Sequence, residues 1–192
     1  MVVSARGSFN KKDGQGYVNA RHNRDQPTNG LKYITEWKQL AIEKILQDET
    51  LVKLLHYPIE NWNEQSDLNQ EQIDALMYKN IFPYRFVSEI AEKQQSYISI
   101  DVANFVPLEE FRLFSNKYIH GYLYFHIMCD IGIMRTHSGV RSDLIAGRIY
   151  ELFQLSTGIG IGTLEMETTL PLWTDNNHFG GYTIGFKLSE MV

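Results

Sequence analysis

Apolar residues recur at helical spacing in the first part of the chain. Between residues 31 and 55, large apolar side chains follow one another at intervals of three and four residues and form one stripe: Ile34, Trp37, Ala41 and Ile45. This spacing places them on one face of an amphipathic helix. Asp48 and Thr50 are residues at which the helix can divide in two. Tyr57-Pro58 ends it, because the residue before a proline avoids the helical conformation.

A second amphipathic helix follows the segment HSGVRSD at residues 137–143. Its apolar face consists of Leu144, Ile145, Ile149, Leu152 and Phe153. Ser142 or Asp143 is the expected N-cap, since either side chain can accept a hydrogen bond from a main-chain N–H. Gly158, in the sequence STGIGIG, is the expected residue of the C-terminal cap.

Four other segments have the pattern of β-strands. SYISIDVANFVP alternates polar and apolar residues and predicts a half-buried strand over 96–107. Residues 118–133 are almost continuously apolar or aromatic, which predicts a strand covered on both faces. The segments IGIGTLEMETTLPLW and GYTIGFKLSEMV predict two further strands near the end of the chain.

The order of these elements predicts an α+β fold. A helix, an insertion, two strands, a helix and two strands are expected to form a mostly antiparallel sheet with two main helices packed on one face. Residues 31–192 are predicted to be a single domain with an irregular insertion at about 59–95, in which NQEQIDALMYKNIFP resembles a short helix. Residues 1–30 have few aliphatic side chains and are predicted to form an extended N-terminal arm.

Charge separates this arm from the rest of the chain. The net charge is −5, but the arm carries five cations against Asp13 and Asp25: Arg6, Lys11, Lys12, Arg21 and Arg24. The arm therefore has a net charge of +3, which leaves −8 on the remaining residues. Opposite charges predict that the arm binds an acidic neighbour, which can be another copy of the chain.

The sequence gives only weak evidence for catalytic or metal-binding residues. His120, His126 and Asp130 share one face of a predicted strand, but they spread over about 13 to 20 Å at about 3.3 Å per residue, too far for one metal ion. His137 and Ser138 are adjacent and point apart in extended chain, so they do not form a catalytic triad with a carboxylate. No catalytic residue, metal site or cofactor is predicted.

Two smaller features have plain explanations. The glycines of GIGIG follow a helix and lack the Lys-Ser or Lys-Thr of a phosphate-binding loop. Cys129 is the only cysteine and lies in an apolar run, so it is expected to be a buried small side chain and cannot form an internal disulfide.

The residues Gly139, Arg141 and Asp143 are better explained as a joint than as an active site. Gly139 permits a backbone angle closed to other residues. Asp143 suits the positive end of a helix dipole. Arg141 can reach Asp143, or a carboxylate on another chain, with two parallel hydrogen bonds. These three residues are therefore predicted to position the helix or to contact another subunit.

The order of elements resembles that of tail terminator (tail completion) proteins of tailed bacteriophages and of related proteins in the virion neck. The local pattern that carries the resemblance is YLYFHIMCDI, then GVRSDLIAGRIYELF, GIGIGTLEM and FGGYTIGFKL, within residues 31–56 and 96–190. The basic arm and the insertion at 59–95 depart from that pattern.

The resemblance implies a structural virion protein without catalytic activity, made in the host bacterial cytoplasm. It implies a ring, usually of six copies, that caps the tail tube and joins a head-closure protein, while genomic DNA passes through the lumen without sequence-specific binding. Three alternatives stay open: a head-closure or adaptor neck protein, a metal-dependent nuclease of a mobile element, and a small binding or regulatory protein that forms no ring.

The sequence contains no membrane or secretion signal of the usual kind. Its first residues lack the apolar core of a secretory signal, and no stretch approaches the roughly 18 uninterrupted apolar residues of a membrane span. No membrane partner is expected.

Overall fold

The computed structural model describes residues 33–85, 94–107, 118–174 and 178–191. The α-helices in these ranges are α1 (Ile34–Leu46), α2 (Glu49–His56), the short α3 (Gln70–Asp74) and α4 (Arg141–Phe153). The strands are β1 (Ile81–Phe82), β2 (Ser96–Pro107), β3 (Tyr118–Asp130), β4 (Arg135–Thr136), β5 (Gly139–Val140), β6 (Glu165–Trp173) and β7 (Phe179–Met191). Single 3-10 turns lie at Trp62–Glu64 and Ile131–Ile133.

Five of these strands form one sheet in the order β1-β2-β3-β7-β6. The pairs β2–β3, β3–β7 and β7–β6 are antiparallel, and only the two-residue strand β1 runs parallel to its neighbour. Strands β4 and β5 form a separate two-stranded sheet. The predicted α+β fold with a mostly antiparallel sheet is therefore confirmed.

The first predicted helix is divided at Asp48, as the sequence allowed. Helix α1 ends at Leu46, and the Asp48 carboxylate then accepts a hydrogen bond from the N–H of Leu51 (2.9 Å), which caps a new helix. The capping bond satisfies a donor that has no partner inside the helix. The fold therefore has three main helices, α1, α2 and α4, where two were predicted.

The main core lies between the helices and one face of the sheet. Alternate residues of the three central strands point to this face and are buried: Ile98, Ile100, Leu123, Phe125, Ile127, Ile184 and Phe186. The helices contribute Trp37, Ile45 and Phe153, and the ring centroids of Phe125 and Phe153 are 4.5 Å apart. Full burial of one such side chain stabilises the fold by about 1.5–3 kcal/mol.

The second face of the sheet is covered only in part. A small apolar cluster of Phe82, Tyr97, Met128 and Phe179 buries one end of it. Further along β3, the side chains of Tyr122, Tyr124 and His126 are half-buried. The expectation that β3 is covered on both faces therefore holds at its Met128 end.

The insertion contributes to the sheet as well as to the surface. The predicted short helix is present as α3, and the Asn69 and Gln72 side chains bond each other's main-chain N–H groups in a capping box. The chain then enters β1. The Asn80 amide just before β1 donates to the carbonyls of Leu55 (3.1 Å) and Ser96 (2.9 Å), which ties the insertion to α2 and β2.

Both predicted caps of α4 were wrong. The N-cap is Val140, two residues before Ser142, and it has no side-chain capping bond; the helix begins at Arg141. The helix ends at Phe153, and its C-cap is Gln154. The first positive φ angle after the helix belongs to Leu155 (57°), before the chain reaches Gly158. The N–H of Leu155 bonds the carbonyl of Leu164 (2.8 Å), which holds the chain as it turns toward β6.

The predicted N-terminal arm, residues 1–30 with Arg6, Lys11, Lys12, Arg21 and Arg24, lies outside the described residues and stays a prediction. Among the described residues, no helix is both long and apolar enough to cross a membrane.

Candidate functional site

The predicted joint is a tight hairpin that leads directly into α4. Strands β4 and β5 pair Arg135 with Val140 and Thr136 with Gly139, around a turn of two residues. The Thr136 hydroxyl donates to the carbonyl of Gly139 (2.8 Å) and accepts from the N–H of Ser138 (3.2 Å). Gly139 has a φ of 131°, a conformation that strains any residue with a side chain.

The Arg141 side chain lies inside the molecule, at 0% exposure. Its Nε donates to the carbonyl of Ile133 (2.9 Å). Its Nη1 donates to the carbonyls of Leu54 (2.8 Å) and Tyr57 (3.0 Å), and its Nη2 donates to that of Ile59 (2.6 Å). One guanidinium therefore joins the end of α2, the segment after it and the turn before β4 to the first residue of α4.

This arrangement corrects the expectation that Arg141 reaches a carboxylate. Its acceptors are main-chain carbonyls, and two of them, on Leu54 and Tyr57, lie at the C-terminus of α2, where the helix dipole favours a cation. Burial lowers the pKa of the Arg141 guanidinium, but arginine stays protonated in proteins. Asn80 takes the carbonyl of Leu55, so side chains from two other segments satisfy the end of α2.

Asp143 ties the first turn of α4 to the sheet. Its carboxylate accepts hydrogen bonds from the hydroxyls of Tyr182 on β7 (3.0 Å) and Ser142 (3.2 Å). The bond to Asp143 raises the pKa of Tyr182. The carboxylate also lies at the N-terminal end of the helix, where negative charge is favourable.

A second arginine joins α4 to α2 from the other side. Arg148 donates to both oxygens of Asp48, through Nε (3.1 and 3.0 Å) and Nη2 (2.6 Å). The same Asp48 caps α2, and Arg148 also bonds Glu151 (2.6 Å). Helix α4 is thus fixed to α2 by two arginines and to β7 by one carboxylate, which makes the region a rigid joint.

The structure does not bring together the residues of the metal-site hypothesis. Along β3, His120 lies opposite Ser189, His126 opposite Thr183 and Asp130 opposite Phe179. His126 Nδ1 is 2.9 Å from the Thr183 hydroxyl, and burial lowers the pKa of His126. The Asp130 carboxylate accepts from the N–H of Gly132 (2.7 Å). Within the described residues, no three His, Cys, Asp or Glu side chains are placed to hold a metal ion.

The triad hypothesis finds no matching geometry either. The His137 ring lies beside Glu60, with 3.5 Å between Nε2 and Oε2, while Asp143 is bonded to Ser142 and Tyr182. Cys129 is buried, and this burial raises its pKa to about 12, which keeps the thiol protonated and unreactive.

Sequence reasoning missed an aromatic ladder on the second face of the sheet. The rings of Tyr122 and Tyr124 are stacked with centroids 5.6 Å apart, and His126 continues the stack at 6.1 Å. The Tyr122 hydroxyl donates to Glu167 (2.5 Å), which also pairs with Lys187 (3.3 Å). The signal was present as aromatic residues at every second position of a strand.

Comparison with known proteins gives a family. The family model YomW matches residues 48–188, more than two thirds of the chain. The matched segment contains Arg141 with all four of its acceptors, and both ends of the Asp48–Arg148 bridge.

No curated protein matches the chain. The family takes its name from a Bacillus phage-region gene, which indicates a phage-related family. Because the match spans most of the chain, this protein belongs to the YomW family.

Proposed function

We propose that the chain is a structural virion protein of a tailed phage, a tail terminator that forms a ring at the head–tail junction. The observation that carries the proposal is the match to a phage-related family over residues 48–188. The resemblance of the chain's order of helices and strands to tail terminators gives the finer assignment. In this role the protein is not an enzyme and needs no cofactor.

The joint supports a mechanical role. A subunit that holds a ring together must present its surfaces at fixed angles. The buried Arg141 bonds and the Asp48–Arg148 bridge fix α4 against α2. A buried, hydrogen-bonded group such as the Arg141 guanidinium makes a structure rigid.

Charge supports a channel for DNA. Residues 31–192 carry a net charge of −8, and negative charge repels phosphates, so DNA can slide through a lumen lined by such residues without being held. The proposed partners are other copies of the chain in a ring, an adjoining head-closure protein, and the tail tube. The resemblance to tail terminators implies six copies in the ring. Genomic DNA passes through without sequence-specific contacts.

The deciding experiment removes the gene from the phage and measures tail length by electron microscopy. A terminator stops the growth of the tail tube, so its loss gives tails of uncontrolled length that do not join filled heads. Loss of a head-closure protein instead gives tails of normal length beside heads that leak DNA. Complete, infective particles without the protein would overturn any role in the neck. Complementation with the intact gene is the control.

The arm is tested separately in solution. Removing residues 1–28, which contain Arg6, Lys11, Lys12, Arg21 and Arg24, is expected to weaken assembly in light scattering. We expect the melting temperature of the monomer not to change, because the sequence predicts that these residues, with few aliphatic side chains, form an extended arm outside the core. A large fall in the melting temperature of the monomer would contradict this independence.

A further inference from the structure

The two edges of the sheet are formed by different strands, and each edge carries a patch of exposed side chains. Strand β1 lies at one edge and β6 at the other. The residues that flank β1 in sequence form the first, which we call the basic edge patch: Tyr78, Lys79, Tyr84 and Arg85. All four are exposed. They combine two large aromatic side chains with two cations.

The second, which we call the acidic edge patch, lies along β6 and the segment leading to it: Leu155, Glu165, Met166, Leu170 and Trp173. All five are exposed, with Trp173 at 62% and Leu170 at 57%. Met166 and Trp173 lie opposite Phe186 and Gly180 on the helix-covered face of β6, and Leu170 lies opposite Thr183 on the other face. Scattered exposed apolar side chains are ordinary, but an edge strand that exposes large ones on both faces marks an interaction surface.

One residue of each patch is held in a strained conformation. Tyr78 and Leu155 both have a φ of 57°, and their side chains are 64% and 62% exposed. The left-handed conformation costs a residue with a side chain about 1–2 kcal/mol, and glycine avoids this cost. Because both side chains are exposed, burial within the same chain does not offset this conformational cost. Strain that presents a large apolar group to solvent points to a contact with another molecule.

The two patches are complementary in charge. Between residues 75 and 85, the only charged side chains are Lys79 and Arg85. Between residues 149 and 174, the charged side chains are Glu151, Glu165 and Glu167. Glu151 pairs with Arg148 and Glu167 with Lys187, so Glu165 carries the negative charge of the acidic edge patch. Two copies that met through the same patch would therefore place like charges together, while unlike patches would attract.

We propose that the basic edge patch of one copy binds the acidic edge patch of the next copy. Such a contact is head-to-tail: it uses two different surfaces, and repetition about an axis closes it into a ring. This proposal rests on the proposed function, because the molecule that binds each patch is a second copy of the chain. It goes beyond that function by assigning the two surfaces that meet. Tyr78 and Trp173 are the aromatic anchors, and Lys79 and Glu165 set the orientation.

The test uses two variants of the full chain and their mixture. One carries Tyr78→Asp with Lys79→Glu, and the other carries Trp173→Ala with Glu165→Lys. Each variant keeps one intact patch. Sedimentation velocity is measured at about 100 μM, where contacts with micromolar dissociation constants are populated. Glu43→Lys, an exposed charge reversal on α1, is the matched control.

The wild type and Glu43→Lys are expected to form the same large species, while each patch variant alone is a monomer of 22.3 kDa. The mixed patch variants are expected to form a heterodimer that cannot grow, because only one pair of intact patches remains. Trp173→Ala alone should raise the dissociation constant by about thirtyfold, the effect of losing an interface anchor. Circular dichroism melting curves show that each variant is folded.

A monomeric wild type, patch variants that assemble like the wild type, or a folded mixture that stays monomeric would each overturn the contact. The tail-length experiment decides the neck function independently. If the ring still forms when these residues are substituted, only the assignment of the two patches is overturned.

Discussion

Replacing Arg141 with Met tests whether the buried guanidinium holds the joint together. Methionine keeps an unbranched chain of similar reach but donates no hydrogen bond. The change leaves the carbonyls of Ile133, Leu54, Tyr57 and Ile59 without the donor that each has in the wild type. We expect the free energy of unfolding to fall, and α4 to lose its fixed position on α2.

The size of the loss follows from two opposing terms. Four hydrogen bonds from a charged donor are worth about 1.5–3 kcal/mol each. The variant, however, no longer bears the desolvation of a buried cation, which costs several kcal/mol. The four bonds together are worth about 6–12 kcal/mol, and subtracting the avoided desolvation leaves a net loss of about 3–5 kcal/mol. For a chain of this length, that corresponds to a fall in melting temperature of about 10 °C.

The measurement is urea unfolding followed by circular dichroism, at a protein concentration at which one species is present, because association also changes apparent stability. Arg135→Met, an exposed arginine on the neighbouring strand β4, is the matched control and should change stability by less than about 0.5 kcal/mol. Arg141→Lys keeps the charge but lacks the planar guanidinium group, so it should recover only a minor part of the stability that Arg141→Met loses. A loss for Arg141→Met no larger than that of the control would refute the reasoning.

Three further predictions concern single side chains. Asp48→Ala removes both the α2 cap and the Arg148 bridge, and should cost about 2–3 kcal/mol of unfolding free energy; a double-mutant cycle with Arg148→Met should give a coupling of about 1 kcal/mol, and additivity would contradict a bridge. Leu155→Gly should raise the melting temperature of the monomer, since it relieves a positive φ worth about 1 kcal/mol; a lower melting temperature would argue against strain. Burial lowers the pKa of His126 below its unfolded value of about 6.5, so the folded state disfavours protonation. The stability due to this shift is therefore present above that pH and is lost as the pH falls, and His126→Gln should flatten the dependence of the unfolding midpoint on pH below about 6.5.

The strands and main helices could be predicted because their residues face a single core. Ile34, Trp37 and Ile45 repeat at helical spacing, and Ile98 and Ile100 alternate along a strand, so the local pattern carries the information. The division of the first helix was also readable, since Asp48 is a good N-cap.

The interior of the joint could not be predicted in the same way. The acceptors of Arg141 are main-chain carbonyls, which every residue possesses, and three of them lie 82 to 87 residues earlier in the chain. No residue type therefore marks them in the sequence. Asp48 and Arg148 are 100 residues apart, and nothing local relates them. The N-cap of α4 was misplaced because Arg141 is drawn inward, so that the helix begins before Ser142.

The four carbonyls that accept hydrogen bonds from Arg141 also bear on the order of events in folding. Its acceptors belong to segments that meet only after a loop of more than 80 residues has closed, and a guanidinium that left water earlier would have no partners. We therefore expect the seating of α4 on α2 to be a late step in folding. In the proposed ring, a chain whose α4 is not yet seated would not present its surfaces at fixed angles, so we expect a copy to join the ring only after this step.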